Sequence, residues 1–234
     1  MIKILLAIEN IEQNYQLYQI LTKNSNLDVK ITTDGFYTLN EYSKFKPDIF
    51  ILDVNLQSLN YINIIDTLSL DINEKLNCNI ILFSNIDTDY LTLSNLSKIY
   101  KAFFKNYKYT DILETVSEMS NYIIDKKIDT LFLKLHIPFQ TPPSNRVKNT
   151  LLKCYNSPEL LGNLNNLFNL VGYDFGTDGN SIRSSFRTTL SSLNQRRYQN
   201  PSLAIYKLLF SSDDDLTPKS FLDICTYYLK YTKK

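Results

Sequence analysis

Four side chains in the first half of the chain carry groups that complement a transferred phosphoryl group. Glu9 follows the apolar run Ile2–Ile8, Asp53 ends Ile49-Phe50-Ile51-Leu52-Asp53, Ser84 ends Asn79–Ser84, and Lys105 follows Ala102-Phe103-Phe104. A carboxylate pair can hold a hard cation, while a hydroxyl and an ammonium can meet the charge on phosphate oxygens. Each of these residues sits where an apolar run stops, so the chemistry requires those runs to be neighbouring strands. In the second half the chemistry-bearing residues are arginines. Arg146, Arg183, Arg187, Arg196 and Arg197 are all the arginines of the chain, and guanidinium forks suit phosphates and guanine edges.

The apolar runs alternate with helical segments. Ile2–Ile8 has the unbroken pattern of a parallel strand covered on both faces. Asn10 can cap a helix carrying Tyr15, Leu17, Tyr18 and Leu21; Leu27–Thr32 is a second strand and Phe36–Phe45 a second helix. After the strand ending at Asp53 come helix Leu59–Leu70, strand Asn79–Ser84, helix Thr88–Lys98, strand Ala102–Phe104 and helix Thr110–Ile124. Parallel neighbours need crossover helices, so this alternation predicts an α/β doubly wound parallel five-stranded sheet. Ligands of such sheets bind beyond the carboxyl ends of the strands, near the switch in strand order. Glu9, Asp53, Ser84 and Lys105 all fall at that edge.

With these residues in place, the first half resembles a response-regulator receiver domain, a flavodoxin-like fold, over about residues 1 to 122. The resemblance implies that Asp53 is the phosphoacceptor, that Ser84 and Lys105 contact the phosphate, and that Glu9 with Asp53 holds magnesium. The sequence departs from the family pattern at several places. Ile8 stands where a second acidic residue is usual, Leu56-Gln57 replaces Met-Pro, and Tyr61 replaces a glycine. Asn85 takes the place of the small residue after the hydroxyl, Ala102 that of the switch aromatic, and Asn106 that of the proline after the lysine. A missing carboxylate weakens magnesium binding, and a missing aromatic removes the moving part that reports phosphorylation. The expectation is a degenerate receiver that requires no cofactor and works without phosphorylation. Magnesium-dependent phosphorylation of Asp53 stays open as the alternative, as does a plain strand-end cap.

The 234 residues fit two small domains better than one. At 44% hydrophobic and 21% charged, the composition supports packed cores and excludes a disordered chain. The net charge of +1 conceals a division: residues 1–127 hold 12 basic and 16 acidic side chains, leaving 13 basic and 8 acidic of the totals of 25 and 24. Cys78, Cys154 and Cys225 are odd in number and scattered, against a disulfide framework or a zinc site. The lone His136 has no partner for metal binding or a triad and reads as structural. Ile2–Ile8 is too short for a membrane span and lacks a cleavage site, which predicts a cytoplasmic protein with no membrane partner. The charged stretch 125–130 is expected to be a short linker between a domain at 1–124 and an all-helical one at 131–234.

Proline, glycine and aspartate punctuate the second half, and Ser157-Pro158-Glu159 has the make-up of a helix start. Asn169–Phe175 predicts a short helix, Gly176–Gly179 a tight turn, and Asn180–Leu193 a longer helix, the layout of a helix-turn-helix. Projection of the longer helix puts Ile182, Phe186, Thr189, Leu190 and Leu193 on one side. Asn180, Arg183, Ser184, Arg187, Thr188 and Ser191 take the other, where Arg and Asn can read base edges and hydroxyls can meet phosphates. Arg196 and Arg197 follow and suit backbone phosphates. A solvated face without a partner fits the same pattern.

The segments Leu135-His136-Ile137-Pro138, Pro158-Glu159-Leu160-Leu161-Gly162, Asn180–Arg187 and Leu216-Thr217-Pro218-Lys219-Ser220-Phe221 resemble, in that order, the DNA-binding domain of the sporulation stage-zero protein A family. Arg187 matches an arginine of that family's recognition helix, Arg183 stands in place of a glutamate, and an earlier arginine falls on Ser181 or Ser184. The resemblance implies a transcriptional regulator that binds double-stranded DNA as a homodimer, with a histidine kinase or phosphotransfer protein as upstream partner. No enzymatic turnover is expected, since glycine-rich phosphate loops and nucleophile-base clusters are missing from the sequence. The alternative is an interaction module without DNA binding, which docks a kinase or another regulator.

Overall fold

The computed structural model describes residues 1–70, 78–84, 99–104, 108–138, 140–210 and 215–232. The expected helix Thr88–Lys98 lies outside them, as do Asn85, Lys105 and Asn106. The chain divides into two compact units, Met1–Ser120 and Asn121–Lys234.

The first unit is built on a parallel sheet of five described strands: β1 (Ile2–Ala7), β2 (Leu27–Thr32), β3 (Ile49–Asp53), β4 (Asn79–Ser84) and β5 (Ile99–Phe104). Their order is β2-β1-β3-β4-β5, with β3 registered so that Ile4 faces Ile49 on one side and Asp53 faces Phe83 on the other. The aliphatic runs are buried as their composition requires: Ile4, Leu5, Leu6, Ile49–Leu52 and Ile80–Phe83 have no exposed surface. Each such side chain contributes about 1.5–3 kcal/mol of burial, so the strands have no alternative face to turn outward.

Helices α1 (Ile11–Leu21), α2 (Gly35–Phe45) and α3 (Tyr61–Leu70) supply the first crossovers. Asn10 caps α1 by accepting from the Gln13 amide, as predicted, and Asp34 caps α2 through the Tyr37 amide. The third helix starts two residues later than its apolar pattern predicts, because Asn60 caps it through the Asn63 amide. Buried Asn14 ties α1 to the sheet: its Nδ2 donates to the carbonyls of Ile8 at 3.1 Å and Thr32 at 2.7 Å.

The expected linker at 125–130 is helical. Helix α4 runs from Tyr109 to Lys134 and contains the boundary between the units. Ile124, Ile128, Leu131, Phe132 and Leu135 are buried at helical spacing, and the charges that suggested a linker occupy the other positions. Asp125 and Asp129, one turn apart, both accept from Lys148 Nζ, at 2.8 and 2.6 Å. Burial pulls the Lys148 ammonium down, but these two carboxylates outweigh it and hold the group above the ordinary lysine range. His136 ends α4 at φ 55, with its amide on Leu133 and the Ile137 amide on Phe132, a left-handed cap and a structural role.

From there the second unit is helical: α5 (Pro142–Asn156), a single-turn 3-10 segment (Pro158–Gly162), α6 (Leu164–Asp174), α7 (Gly179–Gln199), α8 (Ala204–Leu209) and α9 (Pro218–Tyr231). The predicted start at Ser157 produces only the 3-10 turn, without a side-chain cap bond. Thr217 and Ser220 begin α9 with a reciprocal capping box. The three cysteines are buried and form no disulfide; burial pushes the Cys154 thiol up to about 12, with Asp223 adding to it.

The junction of α6 and α7 is closely packed. The Gly176 amide donates to Tyr173 and the Thr177 amide to Gly172, a Schellman ending with Gly176 at φ 62. Asp178 then caps α7 through the Ser181 amide at 2.8 Å. A Cβ on Gly172 would lie 2.8 Å from the Asp178 carbonyl carbon and 2.9 Å from the Thr177 oxygen. Helix propensity alone favours Gly172→Ala by about 1 kcal/mol. The backbone overlap costs about 1–3 kcal/mol, so the variant is expected to lose roughly 1 kcal/mol net in urea unfolding of the full chain. Unchanged or increased stability would show that the junction can open without cost.

Candidate phosphoryl-type edge and helix-turn-helix face

In the first unit, β1 and β3 are neighbours while β2 continues outward from β1, so strand order switches between β1 and β3. Glu9, two residues past β1, and Asp53, the last residue of β3, meet there. Asp53 is 3% exposed; its Oδ2 accepts from the Glu9 amide at 3.2 Å and its Oδ1 from the Asn55 amide at 3.0 Å. Burial raises the Asp53 carboxyl above the ordinary aspartate range, against the lowering effect of these amides; the nearby Glu9 charge adds to the rise. Ser84 is fully buried one residue beyond Phe83, the register partner of Asp53. Lys105 lies outside the described residues.

The residues present make a poor magnesium site. Ile8, at the position of the family's additional acid, is fully buried, and both Asp53 oxygens already accept backbone amides. Among the described residues, no three acidic, histidine or cysteine side chains converge. Two other departures from the family pattern are also packed inward, Leu56 at 4% and Tyr61 at 7% exposure.

The loop after Asp53 is held by residues that sequence patterns did not single out. Asp34 accepts from the Ser58 hydroxyl, Gly35 donates its amide to Gln57, and Ser58 adopts φ 68. The Ser58 hydrogen bond, followed by the Tyr37 amide, keeps the Asp34 carboxyl below the ordinary range. A polar pair 24 residues apart, with neither member in a recognised motif, leaves no pattern to find.

In the second unit, Asn180, Arg183, Ser184, Arg187, Thr188 and Ser191 are all exposed on α7, whereas Ile182, Phe186, Thr189, Leu190 and Leu193 are buried. The projection from sequence is therefore realised, on a helix that extends to Gln199 and carries no acidic residue. The Thr188 hydroxyl donates to the Ser184 carbonyl at 3.2 Å, so its proton is engaged within the helix. Arg196 is half-buried. Arg197 corrects the sequence reading: it is 6% exposed, its guanidinium lies over the rings of Tyr198 at 5.2 Å and Phe210 at 5.8 Å, and it serves the core instead of a phosphate surface. Position on the helix explains this, because Arg197 continues the buried series of Phe186, Leu190 and Leu193.

Carboxyl-carbon NMR can rank the two aspartates of the first unit. Asp53 is expected to titrate above the ordinary aspartate range and Asp34 below it. Its raised value makes the ionised Asp53 a cost to folding at neutral pH, relieved as pH falls through that value. Asp34 contributes stability that is lost as pH falls through its depressed value. Titration of Asp53 at or below Asp34 would mean that the two amide bonds outweigh burial.

No family model and no curated protein matches the sequence. Solved structures similar to part of the chain include a signal receiver domain from Vibrio parahaemolyticus, with TM-score 0.47 and 15% identity over 55% of this chain and 95% of that one. The chemotaxis response regulator CheY4 of Vibrio cholerae gives 0.45 and 17% over 51% and 98%. The response regulator domain of Thermotoga maritima CheB gives 0.44 and 17% over 52% and 97%. The chain's own strand order, parallel throughout, is the flavodoxin-like doubly wound one.

Proposed function

We propose that the chain is a cytoplasmic DNA-binding transcriptional regulator of response-regulator type, a divergent relative of the sporulation stage-zero protein A family. The carrying observation is the outward face of α7: six exposed polar residues, two of them arginine, on a helix without acids that follows a four-residue turn. That face can enter a major groove, with Arg183, Arg187 and Asn180 toward base edges and Arg196 toward a phosphate. One small module gives modest affinity, and a homodimer on two half-sites supplies the rest.

The receiver-like unit serves signal input or dimerisation without phosphorylation. Support comes from the buried, doubly hydrogen-bonded Asp53 and from the apolar Ile8 beside Glu9. A histidine kinase or phosphotransfer protein is the corresponding partner of the alternative, phosphorylated form, and turnover chemistry has no place in either.

Titration of duplex DNA at several salt concentrations is expected to show affinity falling steeply with salt, by a log-log slope of about −0.9 per phosphate contacted. No binding by the full chain at low salt would sink the DNA reading and leave the interaction module in its place. Replacing Arg183 and Arg187 together by Ala is expected to cost about 1–3 kcal/mol of site discrimination per base-reading arginine. Arg196→Ala is expected to reduce the salt slope by about 1. Arg197→Ala is expected instead to lower unfolding stability by about 2 kcal/mol, as loss of a packed buried side chain does. For the first unit, a small phosphodonor with magnesium is expected to give no stoichiometric label; labelling abolished in Asp53→Ala would establish the phosphorylated alternative.

A further inference from the structure

We infer that Asn165 on α6 is a positioning residue for Arg183 on α7, and that this pair sets how the α7 face discriminates between DNA sequences. The inference rests on the DNA-reading proposal. Asn165 lies in the first turn of α6, and its Oδ1 accepts from Arg183 Nη2 at 2.6 Å. The same guanidinium lies over the Phe168 ring at 5.8 Å, and that ring packs against Phe186 of α7 at 5.3 Å. Arg183 is thus held from beside and from below while its side chain stays exposed.

An arginine that must be ordered on binding loses about 2 kcal/mol of rotamer freedom. One ordered beforehand by α6 loses less, and it presents its fork in one direction. The bond to Asn165 engages a single N–H and leaves the rest of the fork for a base or phosphate. Arg183 and Arg187 line the same groove, of about 860 Å³. Holding Arg183 therefore fixes one of the two guanidinium groups in that groove, and hence which base edge it can meet. Asn165 itself is exposed, so its truncation removes the hold without opening the core.

The test uses the full chain and two duplexes: a site recovered from randomised DNA by the chain itself, and a scrambled version. Asn165→Ala is expected to lower the ratio of the two affinities about fivefold, the scale of coupling within one side-chain network, and to change scrambled-site binding by less than about twofold. In the Arg183→Ala background Asn165→Ala is expected to have no further effect. Additive losses would overturn the inference while leaving DNA reading intact. In the DNA-free protein, the Arg183 guanidinium NMR signals are expected to show restricted rotation that is lost in Asn165→Ala and kept in Asn165→Asp, which retains an acceptor. Equal mobility in all three proteins would overturn the hold itself. Absence of DNA binding by the parent chain would overturn the DNA-reading proposal and, with it, the role of the pair.

Discussion

The geometry of the second unit depends on the close approach of α6 to α7 across a turn anchored at both ends. The Schellman bonds from Gly176 and Thr177 fix where α6 stops, and the Asp178 cap fixes where α7 begins. Gly172 lets the turn's backbone lie against α6 at a distance that a Cβ would occupy. With the start of α7 set, its apolar stripe is buried against α5 and α6, with Phe186 on the Phe168 ring. The polar stripe must then face outward, and Asn165 comes within hydrogen-bonding reach of Arg183. Exposure of the arginine-bearing face is thus a consequence of packing on the opposite side.

The sheet edge around Asp53 follows a different balance. A carboxylate with 3% exposure is costly to ionise, and two backbone amides repay part of that cost without changing its sign. The buried Ile8 keeps the surroundings apolar, while Asp34 and Ser58 hold the following loop across to the start of α2. With one amide on each oxygen, the Asp53 carboxylate is oriented by the backbone that follows each of the two strands.

Much of this was legible because it depends on period and capping. Ile2–Ile8 and Ile49–Leu52 read as buried parallel strands, and Asn10 and the polar face of α7 stand where local pattern placed them. What sequence misplaced depends on contacts between distant segments. Residues 125–130 have the charge of a linker and the period of a helix, and Lys148, distant in sequence, is the partner of both their acids. Arg197 has the look of a phosphate contact only if α7 stops at Leu193; the helix runs six residues further, which puts Arg197 on the buried stripe. The Asn165–Arg183 and Asp34–Ser58 pairs have no periodic signature, since each joins two elements through single side chains.

The same contacts change what the charge division means. Counted along the sequence, the second half is simply basic. In the folded unit, Lys148 is matched by two aspartates, Lys153 by Asp174, and Arg197 is buried between aromatic rings. Charges neutralised at close range or withdrawn from solvent add little to the field felt by a polyanion. Arg183, Arg187 and Arg196, by contrast, lie on one helix whose length carries no acid. Part of the unit's basic character is therefore carried by the face of a single helix, and a surface so placed can orient an anionic partner as well as attract it.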